Sequence, residues 1–317
     1  MIVAVTGPTG DIGRALLRRL DADPQVTKVL GMARRPFDPA SQGLSKTEYR
    51  QGDVLDRKAV DALAAEADVL VHLAFIIVGG QAETRSVNLE GSRNVFEAAR
   101  GVGRLVYTSS VAAYGFHAEN PQPLSEDVPA RGSDAHYYSA QKAELEETLR
   151  EALDGADTET YVLRPCIVAG ADALALVEAF PKVLRKAPLG PVLPDPGTPF
   201  QLVHTEDVAQ ALAAAVRGEG EPGVYNLAGA GTITAADLAH AFGWHSVPVP
   251  RAGASLAARA VRLLPLMPPQ ASWLNALRVP VVMDTTRARE QLGWEPEHDT
   301  KAVLADTARS ARDAGLL

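Results

Sequence analysis

The 317-residue chain carries a single cysteine, Cys166, so no disulfide can form within it, and a reducing compartment fits. A basic excess is also missing: 31 lysines and arginines stand against 39 aspartates and glutamates, a formal net charge of −8. Such a chain cannot neutralise a phosphate backbone, which excludes nucleic acid as the expected partner. No apolar run approaches the roughly 20 residues that cross a bilayer. The first core strand begins at Ile2, which leaves no room for a targeting segment, and the expectation is a cytoplasmic protein without a membrane partner. His72, His117, His136 and His204 are scattered, with no carboxylate or cysteine cluster at ligand spacing, so no metal is expected. Internal repeats and low-complexity tracts are absent too.

What is present is ordinary for a globular protein: 46% of residues are hydrophobic and 22% charged, which excludes disorder. The length suits one large α/β domain with a smaller lobe. The chain opens on a buried-strand pattern, Ile2-Val-Ala-Val5, which runs into Thr6-Gly-Pro-Thr-Gly-Asp-Ile-Gly13 and an amphipathic helix over Arg14 to Leu20. Gly7, Gly10 and Gly13 let the backbone turn tightly, approach a pyrophosphate and pack the helix on the strand. A second strand, Lys28 to Met32, closes a βαβ unit, and the helix N-terminus offers free amides to phosphates. The expected fold is therefore α/β, a Rossmann-type doubly wound parallel sheet, with Thr9, Asp11 and Ile12 beside the three glycines in the cofactor turn.

After the second strand an NAD site would place an acidic residue to grip the ribose 2′-hydroxyl. Arg34 and Arg35 stand there instead. A guanidinium offers a 2′-phosphate a charge-assisted contact, so NADP is preferred over NAD as cofactor; two solvated loop arginines are the alternative. Asp53 and Val54 follow a third strand, Asp53 either facing the adenine or serving as an ordinary turn residue, and Asp56 caps a helix over Arg57 to Glu66. A fourth strand, Val69 to Phe75, brings Leu73, Ala74 and Phe75 under the cofactor, and a loop with Gly79-Gly80 follows it to Arg85. Asn88 to Ala99 reads as a helix and Arg104 to Ser110 as a fifth strand; the polar stretch to Ser133 is a candidate binding loop.

Tyr138 and Lys142 lie one turn apart on one helix face. A phenol titrates at about pH 10, and an adjacent ammonium lowers that value toward neutrality. Ser110, at the end of the fifth strand, is placed to hydrogen-bond the same oxygen.

Taken with the glycine turn, these residues make the chain resemble an extended short-chain dehydrogenase/reductase of the NAD-dependent epimerase/dehydratase family. The matching pieces are Thr6 to Gly13, Asp53-Val, His72-Leu-Ala, Val87-Asn-Leu-Glu-Gly-Ser-Arg-Asn94, Thr108-Ser-Ser-Val-Ala-Ala-Tyr-Gly115, Tyr138 to Lys142, Leu163-Arg-Pro165, Phe200 to Asp207 and Leu292-Gly-Trp-Glu-Pro296. They run nearly end to end. The resemblance implies hydride transfer at a carbinol or ketone carbon, with Tyr138 as general acid/base, Lys142 lowering its pKa and binding the nicotinamide ribose, and Ser110 holding the substrate oxygen. It also implies that Asn88 and Pro165 belong to the cofactor site. Nucleotide-sugar members commonly carry an asparagine and an arginine for the diphosphate where this chain has Ile167 and Phe200, so a small or medium non-nucleotide substrate is expected.

Residues 1–165, with roughly 200–228, are assigned to the NAD(P)-binding domain, and 166–199 with 229–317 to the substrate lobe. Ala252 to Leu277 is a candidate lid or core stripe, and the helix over Thr205 to Val216 carries its own N-terminal cap. Family members often dimerise through the helix after Asn88 and the Tyr138 helix; Leu145 and Leu149 permit this, so a homodimer stays open. Two alternatives also remain: a sugar or nucleotide-sugar epimerase/dehydratase that retains its cofactor, and a dinucleotide-sensing regulator.

Overall fold

The strand β1 (Ile2–Thr6) sits at the centre of the molecule because its three middle residues, Val3, Ala4 and Val5, are all fully buried. This computed structural model describes residues 1–77, 84–134, 136–178, 191–249 and 279–317. Successive strand side chains point to opposite faces, so Val3 and Val5 enter one apolar layer and Ala4 the other. The first layer packs against α1 (Asp11–Ala22) through Leu16, Leu17 and Leu20. The second packs against α2 (Arg57–Ala64) and α3 (Ser92–Ala98) through Val60, Leu63, Val95 and Phe96.

The sheet has seven parallel strands. To one side of β1 lie β2 (Lys28–Ala33) and β3 (Thr47–Gln51); to the other lie β4 (Val69–His72), β5 (Arg104–Thr108), β6 (Glu159–Pro165) and, after an excursion, β10 (Gly223–Leu227). The strand order reverses between β1 and β4, and the carboxyl ends at such a reversal form the crevice in which this fold binds ligands. The doubly wound parallel sheet expected from the sequence is the fold observed.

Several boundaries differ from expectation. β4 ends at His72, not Phe75, because its partner β1 leaves the sheet at Thr6, opposite His72, to enter the glycine turn. β5 stops at Thr108, so Ser110 lies beyond the strand, where its hydroxyl caps a 3-10 turn over Val111–Tyr114. The segment from Asn88 to Ala99 is not one helix: Ser86–Gly91 forms a wider π-type turn before α3. Asp56 does cap α2, accepting hydrogen bonds from the amides of Lys58 and Ala59.

The chain continues through α4 (Tyr137–Ala152), which carries Tyr138 and Lys142, then β7 (Ile167–Ala169) and the short α5 (Ala175–Glu178). Leu145 and Leu149 of α4 are buried in the second apolar layer of this same chain. They provide no free apolar face for a partner, which removes the sequence argument for a dimer. β8 (Val192–Asp195) and β9 (Leu202–His204) lead to α6 (Thr205–Arg217). The cap of α6 is His204, whose Nδ1 accepts from the Glu206 amide at 3.2 Å; the Thr205 hydroxyl is engaged by the Ala169 carbonyl at 3.3 Å.

The smaller lobe has its own apolar cluster, in which Phe200, Leu202, Ile233, Leu238, Phe242 and Trp244 meet. α7 (Ala235–Phe242) and α9 (Thr300–Asp313) pack in this cluster and β11 (His245–Pro248) pairs with β8, whereas α8 (Thr286–Glu290) puts Ala288 into the first apolar layer of the central sheet. Trp294 ties the last segment to α6: its indole N–H donates to the Asp207 carbonyl oxygen at 2.8 Å, while the Asp207 carboxylate accepts from the amides of Glu297 and His298. The Gly79-Gly80 loop and the stretch Ala252 to Leu277 lie outside the described residues.

Candidate active site

The glycine turn is fixed by how little room it leaves. Gly7 has a φ of +76°, and a Cβ on it would lie 2.7 Å from the Ala74 amide nitrogen. On Gly13 a Cβ would lie 2.4 Å from the Gly7 carbonyl oxygen, so the packing of α1 on the turn excludes any side chain there. Gly10 differs: a Cβ on it would meet one atom at 3.6 Å, and its outer side is open. It is the N-cap of α1 and offers no side chain to the first-turn amides of Asp11, Ile12 and Gly13, which the helix geometry leaves without acceptors. An open glycine over unsatisfied amides suits a pyrophosphate. Arg14 donates to the Thr9 carbonyl at 3.0 Å and to Asp11 at 2.9 Å, stiffening the turn. Burial pushes the Asp11 carboxyl up, and Arg14 partly offsets this.

Arg34 and Arg35 are exposed just past the end of β2. Their backbone is pinned, since Gln51 Nε2 donates to the Arg34 carbonyl at 2.8 Å and the Tyr49 hydroxyl to that of Arg35. Among the described residues neither guanidinium has an ion-pair partner. Asp53 accepts from the Leu55 amide at 3.1 Å, and Val54 is buried against Gly91 with its carbonyl held by Asn94 at 2.9 Å. Leu73 and Ala74 follow β4 beside the glycine turn.

Asn88 is fully buried. Its side chain accepts from the Ile76 amide and donates to the Ile76 carbonyl and to Gln141 Oε1, all at 2.8–2.9 Å. Its polar atoms are thus engaged in positioning the loop after β4, and the structure does not bring them to the groove. Pro165 is buried at the end of β6, and beside it burial pushes the Cys166 thiol up.

Ser110, Tyr138 and Lys142 do converge. The 3-10 turn that begins at Ser110 is fastened to α4 by Ser139, whose hydroxyl donates to the Ala112 carbonyl at 2.6 Å. This brings the Ser110 hydroxyl into hydrogen-bond contact with the phenol oxygen of Tyr138. Lys142 is buried, with Nζ donating to the Thr108 carbonyl at 2.9 Å and to the Tyr107 hydroxyl at 3.5 Å. Phe75 covers both groups: its ring meets Tyr138 edge-on at 5.4 Å, and the Lys142 nitrogen lies 4.0 Å from its centre.

One electrostatic expectation is corrected. Burial pushes the Tyr138 phenol up to about 12, with the Ser110 bond pulling the other way. The Lys142 ammonium does not offset this, because burial brings its own value down to about 7, and Glu146 acts to raise it. Both groups are driven toward their neutral forms by loss of water.

The sequence reading missed the groups that hold this site. His72 is buried between Thr6 Oγ1, at 2.7 Å from its Nδ1, and Ser92 Oγ, at 2.8 Å from its Nε2; burial brings its value down to about 3. Tyr107 and the buried pair Arg164 and Glu146 were missed as well, although Glu146, one turn past Lys142, carried a positional signal. Among the described residues no group of three or more His, Cys, Asp or Glu side chains could hold a metal.

The parallel sheet, its glycine turn and the Ser110, Tyr138 and Lys142 constellation define a dinucleotide-dependent enzyme of the short-chain dehydrogenase/reductase type. The family model of the NAD dependent epimerase/dehydratase family matches residues 3–228, and the chain belongs to that family. It is similar to a ceramide reductase of Caulobacter vibrioides, 31% identical over 218 residues that cover 68% of this chain and 61% of that protein. It is also similar to an Escherichia coli O157:H7 N-acetyl-alpha-D-glucosaminyl-diphospho-ditrans,octacis-undecaprenol 4-epimerase, 32% identical over 175 residues covering 53% and 49% of the two chains. In fold it resembles a Bacillus cereus UDP-glucuronic acid 4-epimerase in complex with NAD, with a TM-score of 0.75, 16% identity and 99% of each chain covered.

Proposed function

We propose that the enzyme moves a hydride between NADP and the carbinol or ketone carbon of a small or medium, non-nucleotide substrate. The observation that carries this reading is the convergence of Ser110 and Lys142 around the buried phenol of Tyr138. The nicotinamide, when bound, supplies or accepts the hydride. Tyr138 holds its proton well above neutrality and so is loaded to deliver it to a substrate carbonyl oxygen. Ser110 donates a hydrogen bond to the same oxygen, Lys142 serves the ribose, and Phe75 shields Tyr138 and Lys142 from water. The open glycine turn supports the pyrophosphate, and the exposed guanidinium groups of Arg34 and Arg35, without an ion-pair partner among the described residues, support a 2′-phosphate.

Two positions support a substrate without a diphosphate. Phe200 is buried in the apolar cluster of the smaller lobe, bridged to Ile233 and Val281, and Ile167 is half-buried at the start of β7. Neither offers a charge or a hydrogen bond to a desolvated phosphate. A second reading, an epimerase that retains its cofactor, is favoured by the similarity to the E. coli 4-epimerase. The lone, buried Cys166 suits a reducing setting, and we place the enzyme in the cytoplasm.

Mass spectrometry of the small molecules retained by the purified protein, followed by NADPH and NADH titrations and a panel of ketones, tests these readings. Consumption of NADPH with a ketone supports the reductase. Stoichiometric copurified oxidised cofactor, with no net turnover of added NADPH, would replace it with the epimerase.

A further inference from the structure

One turn beyond Lys142 on α4, Glu146 holds a carboxylate in the interior, and the proposed reaction leaves it without a role. Its side chain is 12% exposed, and that of Arg164, opposite it on β6, 5%. Arg164 donates from Nε to Oε1 at 2.9 Å and from Nη2 to Oε2 at 2.5 Å, and the Ser109 hydroxyl adds a third bond to Oε1 at 2.5 Å. The guanidinium also lies over the Tyr114 ring at 4.4 Å, and the Tyr114 hydroxyl donates to Asn226 at 2.7 Å. A buried ion pair adds little net stability, since desolvation of both charges opposes their attraction. Its place beside a buried ammonium therefore points to a task other than stabilising the fold.

The groups facing Lys142 can be named element by element. From β5 come the Tyr107 hydroxyl and the Thr108 carbonyl, from β4 the neutral His72, and from the loop after it the Phe75 ring. On α4 itself lie Tyr138, which keeps its proton, and Glu146, with Arg164 of β6 behind the carboxylate. Among these described groups Glu146 is the anion.

We propose that Glu146 is a positioning residue: clamped by Arg164 and Ser109, its carboxylate keeps the buried Lys142 ammonium charged and fixes the strand end that presents Ser110. The inference rests on the reading above for the use to which Lys142 is put; the placement of Glu146 stands on geometry, since it follows Lys142 by one helical turn and its carboxylate holds Ser109, the residue after the Thr108 carbonyl that accepts from Lys142. Burial lowers the affinity of Lys142 for its proton, and Glu146 is the group that opposes that loss.

The chain has seven lysines, so 13C-lysine labelling of the cofactor-free protein gives a simple NMR spectrum in which Lys142 is assigned by its disappearance in Lys142→Arg. In Glu146→Gln, which keeps the shape, the Lys142 titration midpoint is expected to fall by about 1 pH unit or more. In Glu144→Gln, an equal change of charge on the exposed side of the same helix, it is expected to stay in place. If Glu146→Gln does not fold, the double variant Glu146→Gln, Arg164→Gln removes both charges, and its midpoint is expected to fall by less, because the guanidinium behind the carboxylate, which opposes the ammonium, is lost as well. An unmoved midpoint in either folded variant overturns the proposal. The titration involves no turnover, so it can succeed or fail separately from the ketone-dependent consumption of NADPH that tests the enzymatic reading.

Discussion

Tyr138 and Lys142 are both taken out of water, and burial moves each toward its uncharged form, the phenol up to about 12 and the ammonium down to about 7. In the reducing direction the phenol is ready at any ordinary pH, and the pH limit falls on Lys142. We expect kcat/KM for reduction, which reports groups of the free enzyme, to be level below about pH 7 and to fall as pH rises through that value. A profile still flat at pH 9 would show that the ammonium is not needed. Tyr138→Phe should reduce turnover by roughly two to four orders of magnitude while leaving the NADPH Kd little changed, as a fluorescence titration would measure.

His72 gives a stability signature of the opposite kind, since it is buried neutral with its value depressed to about 3. Between its ordinary value of 6.5 and about 3 the unfolded chain binds a proton that the native protein does not. Its contribution is thus full above pH 6.5 and is lost as pH falls, with a slope of up to about 1.4 kcal/mol per pH unit. Denaturant unfolding of wild type and His72→Asn at pH 4 and pH 7 should show a smaller pH dependence in the variant.

Among the secondary elements, the glycine turn separates folding from binding. A methyl group on Gly10 meets only the Gly7 carbonyl oxygen at an ordinary contact distance of 3.6 Å among the described residues, so Gly10→Ala should melt within a few degrees of wild type and yet lose most of its affinity for NADPH. The same change at Gly13 drives a methyl into the Gly7 carbonyl and should destabilise the fold itself by about 1–3 kcal/mol. Thermal melts paired with cofactor titration distinguish the two, and equal melting losses in both variants would contradict this division.

The same turn shows what the sequence makes legible. Apolar runs and glycine spacing revealed β1, α1 and the parallel sheet because they are local, and helical spacing revealed the pairing of Tyr138 with Lys142. The end of β4 differs from expectation because it is set by where another strand leaves the sheet; the cap of α6 is present as expected, supplied by His204. The direction of the phenol shift was missed for a related reason: adjacency along a helix is visible in sequence, whereas the depth at which both groups lie is a tertiary property. Asn88, read as a cofactor residue through family likeness, turned out to be engaged in holding Ile76 and Gln141.

For the molecule as a whole, the sheet reversal between β1 and β4 brings the glycine turn, the Arg34 loop and the Tyr138 helix to one edge from segments far apart in the chain. A ligand that engages all three stabilises the folded state by mass action. NADPH should therefore raise Tm more than NADH at equal concentration, and Arg34→Ala with Arg35→Ala should narrow the gap by removing the contacts to the 2′-phosphate. An unchanged gap would return both arginines to the role of surface charge.

The solitary sulfhydryl offers a way to watch these states without engineering. Because Cys166 is enclosed at the seam of β6 and β10, with its amide donating to the Leu227 carbonyl at 2.9 Å, a thiol reagent can reach it only when that seam parts. Its labelling rate is then an intrinsic clock for opening of the sheet, and slowing of that clock by added dinucleotide would report how far the grip of the cofactor extends from its own crevice.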